Sequence, residues 1–191
     1  CSACFNHFER ISPEHCPTCF KEGETSPCQD CQYWYKEGIQ VEHEAVFIYN
    51  EVMKDYFHRY KFDGDYLLRK VFTKVLYQKF QKYKDYQLVL IPLSKERLQQ
   101  RGFNQVEGLI EGTGLSYYNI IDKKEVKASS SMNRADRLQV ENPFVIKEGV
   151  KIPEKILLFD DIYTTGATIN RIKKMLIEAG CQKIKPFSLV R

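Results

Sequence analysis

Residues 156–168 read Ile-Leu-Leu-Phe-Asp-Asp-Ile-Tyr-Thr-Thr-Gly-Ala-Thr. Four apolar residues in a row form a buried strand. The run ends in two adjacent acids, Asp160 and Asp161, and after a short hydroxyl-bearing turn an amphipathic segment opens. A buried strand followed by a helix belongs to sheets covered by helices. The helix N-terminus presents backbone N–H groups to an anion. Thr164, Thr165 and Thr168 add hydroxyls, and Gly166 lets the backbone approach a ligand closely. Asp160 and Asp161 stand where sugar hydroxyls or a metal-bound ligand would be held. Such a site suits a phosphate on one side and a diol on the other, as in ribose 5-phosphate. A Walker B strand would need a partner of the form G-x-x-x-x-G-K-[ST], which the chain lacks. A plain strand-to-helix turn is the structural alternative.

The rest of the chain agrees with an α/β class. Residues 44–49 read as a strand and 51–62 as a helix. A second helix follows Asp63-Gly-Asp65, with Leu68, Val71, Phe72, Val75, Leu76, Phe80 and Tyr83 on one face as core. Strands are expected over 88–92, 116–121, 144–146, 156–159 and 184–190, and helices over 95–112, broken at Gly102, and 167–179. The polar stretch 127–142, with Ser129, Ser130 and Ser131, reads as a mobile loop. This alternation predicts a mostly parallel sheet flanked by helices, with ligands gathered at the carboxyl ends of its strands.

Six of seven cysteines fall in the first 31 residues as three Cys-x-x-Cys pairs: Cys1/Cys4, Cys16/Cys19 and Cys28/Cys31. Paired spacing suits tetrahedral zinc and predicts a reducing, cytoplasmic setting. Residues 1–40 hold too few large apolar residues for a core, so a metal must supply folding energy there. Three pairs make one and a half sites. In one assignment Cys16, Cys19, Cys28 and Cys31 hold Zn2+, and Cys1 and Cys4 are a half-site whose partner lay in a preceding segment. In the other, Cys1 and Cys4 join Cys16 and Cys19. The expected division is therefore 1–40, a zinc module, and 41–191, the α/β domain. Charge divides similarly. Residues 1–42 hold 3 of 29 basic and 7 of 25 acidic residues, leaving 26 and 18 for the remainder. A basic larger part fits phosphorylated ligands or nucleic acid; an ordinary lysine-rich surface is the alternative. No apolar run approaches the 18 residues of a membrane span.

A second anion site is expected after Pro92, where Ser94, Lys95, Arg97, Arg101 and Asn104 follow a strand end; guanidinium forks suit phosphate oxygens. Residues 56–62, Tyr-Phe-His-Arg-Tyr-Lys-Phe, interleave basic and aromatic residues as a single-stranded DNA surface would. Core packing is the competing reading for Phe57 and Phe62, and Arg59 and Lys61 are the better contact candidates. His58 has no visible partner and is given no catalytic role.

The segment 156–168 resembles the phosphoribosyl-pyrophosphate (PRPP) loop of type I phosphoribosyltransferases. The resemblance implies that Asp160 and Asp161 bind the ribose hydroxyls, as catalytic residues if there is turnover, and that Thr164, Thr165, Gly166, Ala167 and Thr168 hold the 5-phosphate. It further implies that the loop after Pro92 meets pyrophosphate and that Mg2+ bridges the ligand. The cysteine pairs, Lys61-Phe-Asp-Gly64, Arg101-Gly-Phe-Asn-Gln105 and the PRPP-type loop, in this order, resemble the ComF family of competence proteins over essentially the whole chain. Arg134, Arg137, Asn142 and Phe144 stand for a later basic segment of that family, with wider spacing than usual. The resemblance implies a role in natural transformation: handling incoming single-stranded DNA in the cytoplasm, at the inner face of the membrane through partners. Those partners are a ComFA-type ATP-driven helicase or translocase and other DNA-processing competence proteins. The alternatives are an active phosphoribosyltransferase using PRPP, Mg2+ and a nitrogen acceptor, and a nucleotide-sensing regulator. Against turnover, no base-binding hood is recognisable after the last helix.

Overall fold

The computed structural model describes residues 2–124 and 142–191. The expected loop over 127–142 lies outside them but for its last residue, and so do Arg134, Arg137 and Cys1. The cysteine-rich start carries α1 (Ser2–Phe5) and α2 (Gln29–Lys36). There follow α3 (Glu51–Lys61), α4 (Thr73–Phe80), β1 (Gln87–Leu90), α5 (Lys95–Arg101) and α6 (Gln105–Glu111). The chain closes with β2 (Ile121–Lys123), β3 (Phe144–Ile146), β4 (Lys155–Ile162), α7 (Ala167–Glu178) and β5 (Lys183–Val190).

β1, β4 and β5 form a parallel sheet in that order, with Phe159 between Leu90 and Phe187. Single parallel bridges extend both edges: Tyr118 beside Val89, and Glu44 and Phe47 beside Phe187 and Val190. The stretch 44–49 thus reaches the sheet through bridges rather than as a full strand. The expected strand 116–121 touches β1 only at Tyr118; the chain then leaves that edge, and β2 pairs antiparallel with β3.

Alternation along β4 builds the two faces. Leu157 and Phe159 join one cluster with Met53, Phe57, Leu76 and Leu109 from α3, α4 and α6. Ile156 and Leu158 join the other with Ile169, Ile172 and Leu176 of α7 and with Cys16, Cys19, Cys28, Cys31 and Trp34. A central strand buried on both faces accounts for its unbroken apolar run.

Two further expectations need correction. The helix after Asp65 is not continuous: a 3-10 segment (Tyr66–Lys70) precedes α4, and another (Gln81–Tyr83) follows it. Side-chain ties hold the first segment, where Arg69 stacks on Tyr66 and both reach Glu111. The stripe itself is core, with Phe72, Val75, Leu76 and Phe80 buried. The second correction is that β4 runs past Phe159 to Ile162, because β5 keeps pairing as far as Val190. The two acids therefore lie inside the strand.

Candidate functional site

β4 delivers both acids to one end of the sheet. Asp160 continues the face of Ile156 and Leu158, and Asp161 that of Leu157 and Phe159. Each carboxylate also accepts the backbone N–H of the following residue, at 2.9 Å and 2.8 Å. Asp161 faces α3, where Lys61 Nζ lies 2.6 Å from its Oδ2, with both side chains nearly excluded from water. Burial alone would raise the Asp161 pKa, but the charge and hydrogen bond of Lys61 outweigh it and hold the carboxyl below its usual range. Among the described residues no cation pairs with Asp160 in this way. Burial, and then the Asp161 charge, push it well above that range. The two acids are thus pushed in opposite directions, Asp161 down and Asp160 up.

The turn 163–166 leads into α7. Gly166 has φ 81°, and a side chain there would collide with the buried Tyr163 ring. Glycine is required on both counts. Gly166 brings α7 no side-chain cap, while Thr165 Oγ1 accepts the Ala167 N–H. Thr164 and Thr168 are exposed at the mouth.

The loop after Pro92 lies beside this end of the sheet. Ser94 caps α5 by accepting the Arg97 N–H, and Asn104 caps α6. Arg101 donates to Gln105 Oε1 at 2.8 Å and its guanidinium lies over the Phe62 ring. Lys95 and Arg97 are exposed. Phe62 is 67% exposed, so it is not core, whereas Phe57 is buried. Arg59 is engaged by Asp65.

Sequence reasoning missed a cavity of about 650 Å³ between this loop and the β2–β3 pair. Lys95, Lys123, Lys124 and Lys147 line it over an apolar floor that includes Leu98 and Ile121. Lys123 is half-buried; burial, and then Arg97, lower its pKa, while Asp160 pulls it the other way. The adjacent lysines at 123 and 124 were the available sequence signal.

The second centre is the cysteine cluster. The Sγ atoms of Cys16, Cys19, Cys28 and Cys31 all lie within 4.8 Å of one another and are buried. The separations are 3.8 Å for Cys16–Cys31, 3.6 Å for Cys19–Cys28 and 3.6 Å for Cys28–Cys31. A tetrahedral zinc about 2.3 Å from each sulfur sets the sulfurs about 3.8 Å apart, so the four thiols fit that ion. Cys4 is exposed and, among the described residues, lies outside this cluster. Two further residues had no local signal: Trp34, whose indole donates to Thr165 O at 2.7 Å, and Arg191, which donates to Thr164 O and to Cys19 Sγ.

Over all 191 residues the chain is 60% identical to "Competence protein ComFC" of Streptococcus pneumoniae (strain ATCC BAA-255 / R6), spanning 87% of that protein. The chain belongs to the ComFC family of competence proteins. A second ComFC, from Bacillus subtilis (strain 168), is 31% identical over 200 residues, with all of this chain and 83% of its own covered. No protein-family model matches. Among solved structures, a hypoxanthine phosphoribosyltransferase from Staphylococcus aureus aligns over 64% of this chain and 63% of its own, at 17% identity and a TM-score of 0.37. No described helix of this ComFC-family chain is long and apolar enough to cross a membrane.

Proposed function

We propose that this chain handles incoming single-stranded DNA during natural transformation, on a phosphoribosyltransferase-like scaffold whose strand-end site binds a ribose phosphate. The observation that carries the reading is the convergence at one end of the sheet. Asp160 and Asp161 take the ribose hydroxyls, and Thr164, Thr165, Gly166, Ala167 and Thr168 wrap the phosphate at the start of α7. Lys61 neutralises the second acid. Ser94, Lys95, Arg97, Arg101 and Asn104 supply the neighbouring anion side. The DNA strand follows the lysines of the adjacent cavity, and the exposed Phe62, backed by Arg101, offers a stacking face. The competence names of the relatives support the same biological setting.

Residues 1–40 act as a zinc module on Cys16, Cys19, Cys28 and Cys31, and residues 41–191 as the ligand-binding domain. The module's exposed side is where a ComFA-type translocase or another DNA-processing protein docks, in the cytoplasm. A second reading is an active phosphoribosyltransferase. The cavity favours it, since it gives room for an acceptor beside the ribose site. Asp160 and Asp161 would then hold Mg2+, which would supply charge neutralisation for the pyrophosphate leaving group.

Two measurements test the reading. Single-stranded DNA binding is expected to weaken steeply with salt, as phosphate neutralisation requires; affinity that ignores salt would overturn the charged track. Ribose 5-phosphate binding is expected to vanish in Asp160→Ala/Asp161→Ala, and retention would remove the acids from the site. Pyrophosphate release from PRPP across a panel of bases decides the second reading, and none released rejects it for those acceptors.

A further inference from the structure

The phosphate-binding turn is fastened from behind. Thr165 O accepts the Trp34 indole N–H at 2.7 Å, and Thr164 O accepts Arg191 Nη1. The other arm of Arg191 donates to Cys19 Sγ at 3.4 Å and faces Asp30 at 3.6 Å. Its guanidinium lies 4.9 Å from the centre of the Tyr163 ring, which also stacks on the His43 ring at 4.0 Å. His43 in turn bonds to Cys19 O and Ser188 Oγ. Trp34 lies three residues, nearly one full turn, beyond Cys31 on α2, so the cluster that fixes Cys28 and Cys31 also fixes the indole.

The peptide unit makes these contacts matter to a ligand. In a trans peptide the C=O and the next N–H point in opposite directions. Holding the Thr164 and Thr165 carbonyls towards the cysteine cluster therefore turns the Thr165 and Gly166 N–H groups to the opposite, ligand side. A phosphate bound there is recognised by donors whose direction is set from behind.

We propose that Arg191 and Trp34 are positioning residues that tie the phosphate-binding turn to the cysteine cluster, so that metal in the cluster sets the turn's affinity for a phosphate-bearing sugar. The inference rests on the ribose-phosphate reading above. The metal module is then part of the ligand site's support as well as a folding device.

The test uses the full chain, purified with its metal, and ribose 5-phosphate as probe. Calorimetry gives affinity, and the single tryptophan, Trp34, reports on the turn by fluorescence. Arg191→Lys keeps the charge but cannot reach the sulfur and the carbonyl together; Trp34→Phe keeps the ring and loses the N–H. Both are expected to retain one metal per chain and the wild-type melting temperature within a few degrees. Affinity should fall roughly tenfold in Arg191→Lys, the scale of one hydrogen bond to a charged group, and several-fold in Trp34→Phe. Stripping the metal from the wild type should weaken binding similarly and shift Trp34 emission. If the wild type binds while both variants and the stripped protein bind equally well, the coupling is wrong and the site reading stands. If stripping unfolds the chain, the two metal-loaded variants decide alone. If the metal-loaded wild type fails to bind, both readings fall together; Asp161→Asn, losing affinity with metal content and emission unchanged, marks the site reading as sound on its own.

Discussion

Lys61→Met isolates the electrostatics of the site. The pair Lys61–Asp161 is tight, at 2.6 Å, and largely buried on both sides. Removing one partner of such a pair costs about 3–5 kcal/mol, because a buried charge is left uncompensated. Asp161 has an escape, which is to take up a proton. Above an unfolded-state pKa of about 3.9 that costs about 1.4 kcal/mol per pH unit. The loss is thus capped at about 2 kcal/mol near pH 5.5 and at about 4 kcal/mol near pH 7. The sign follows from the two states of Asp161. With Lys61 present its pKa is depressed. The pair then stabilises fully above the ordinary carboxylate range, and loses that contribution as pH falls through the depressed value. Without Lys61, burial raises the pKa, and stability falls as pH rises above about 3.9. Urea unfolding of wild type and variant in parallel, at both pH values, reads the difference. Adding Asp161→Asn to Lys61→Met should recover most of the loss, since an amide needs no counter-charge. An equal loss at both pH values, or no recovery in the double variant, would refute the argument.

Gly166→Ala should cost at least about 1–2 kcal/mol for the left-handed backbone alone, and more because Tyr163 occupies the space. An unchanged melting temperature would show that the turn is free to rearrange. Metal analysis should find one zinc per chain in Cys4→Ser and none held tightly in Cys16→Ser; zinc retained in the second would break the four-cysteine assignment. Phe62→Ala should leave stability nearly unchanged but weaken single-stranded DNA binding by about 1–3 kcal/mol, the scale of one stacked base. Phe57→Ala should instead lose about 3–5 kcal/mol of stability as a core truncation. Identical effects from the two would remove Phe62 from the DNA surface.

What the sequence disclosed follows the range of the physics involved. The β4–turn–α7 unit was readable because burial, acid placement, glycine and helix start are all local to thirteen residues. The sheet followed from strands that alternate with helices. Spacing leaves the pairing of Cys16, Cys19, Cys28 and Cys31 between alternatives, because it states how far apart ligands lie along the chain but not which side of the turn they face. Strand ends were misplaced where a neighbour decides them: Ile162 extends β4 because Val190 is there to pair with it. Phe62 and Phe57 share one helical segment and similar chemistry, yet one is bare and the other buried, since only the approach of β4 and α4 distinguishes them.

The same limit explains the residues that were missed. Trp34 touches Thr165 across 131 positions, and Arg191 touches Cys19 across 172. No window of sequence contains either contact. An isolated tryptophan after a Cys-x-x-Cys pair and an arginine after an apolar strand each read as ordinary surface or core. Their meaning appears only when the cysteine cluster and the 163–166 turn are seen to share one wall. That wall also changes how the cysteines are to be understood. A module needed only for its own folding could sit anywhere on the domain. One whose indole holds one carbonyl of the 163–166 turn directly, and whose Cys19 sulfur holds another through Arg191, has a place fixed by the turn it supports.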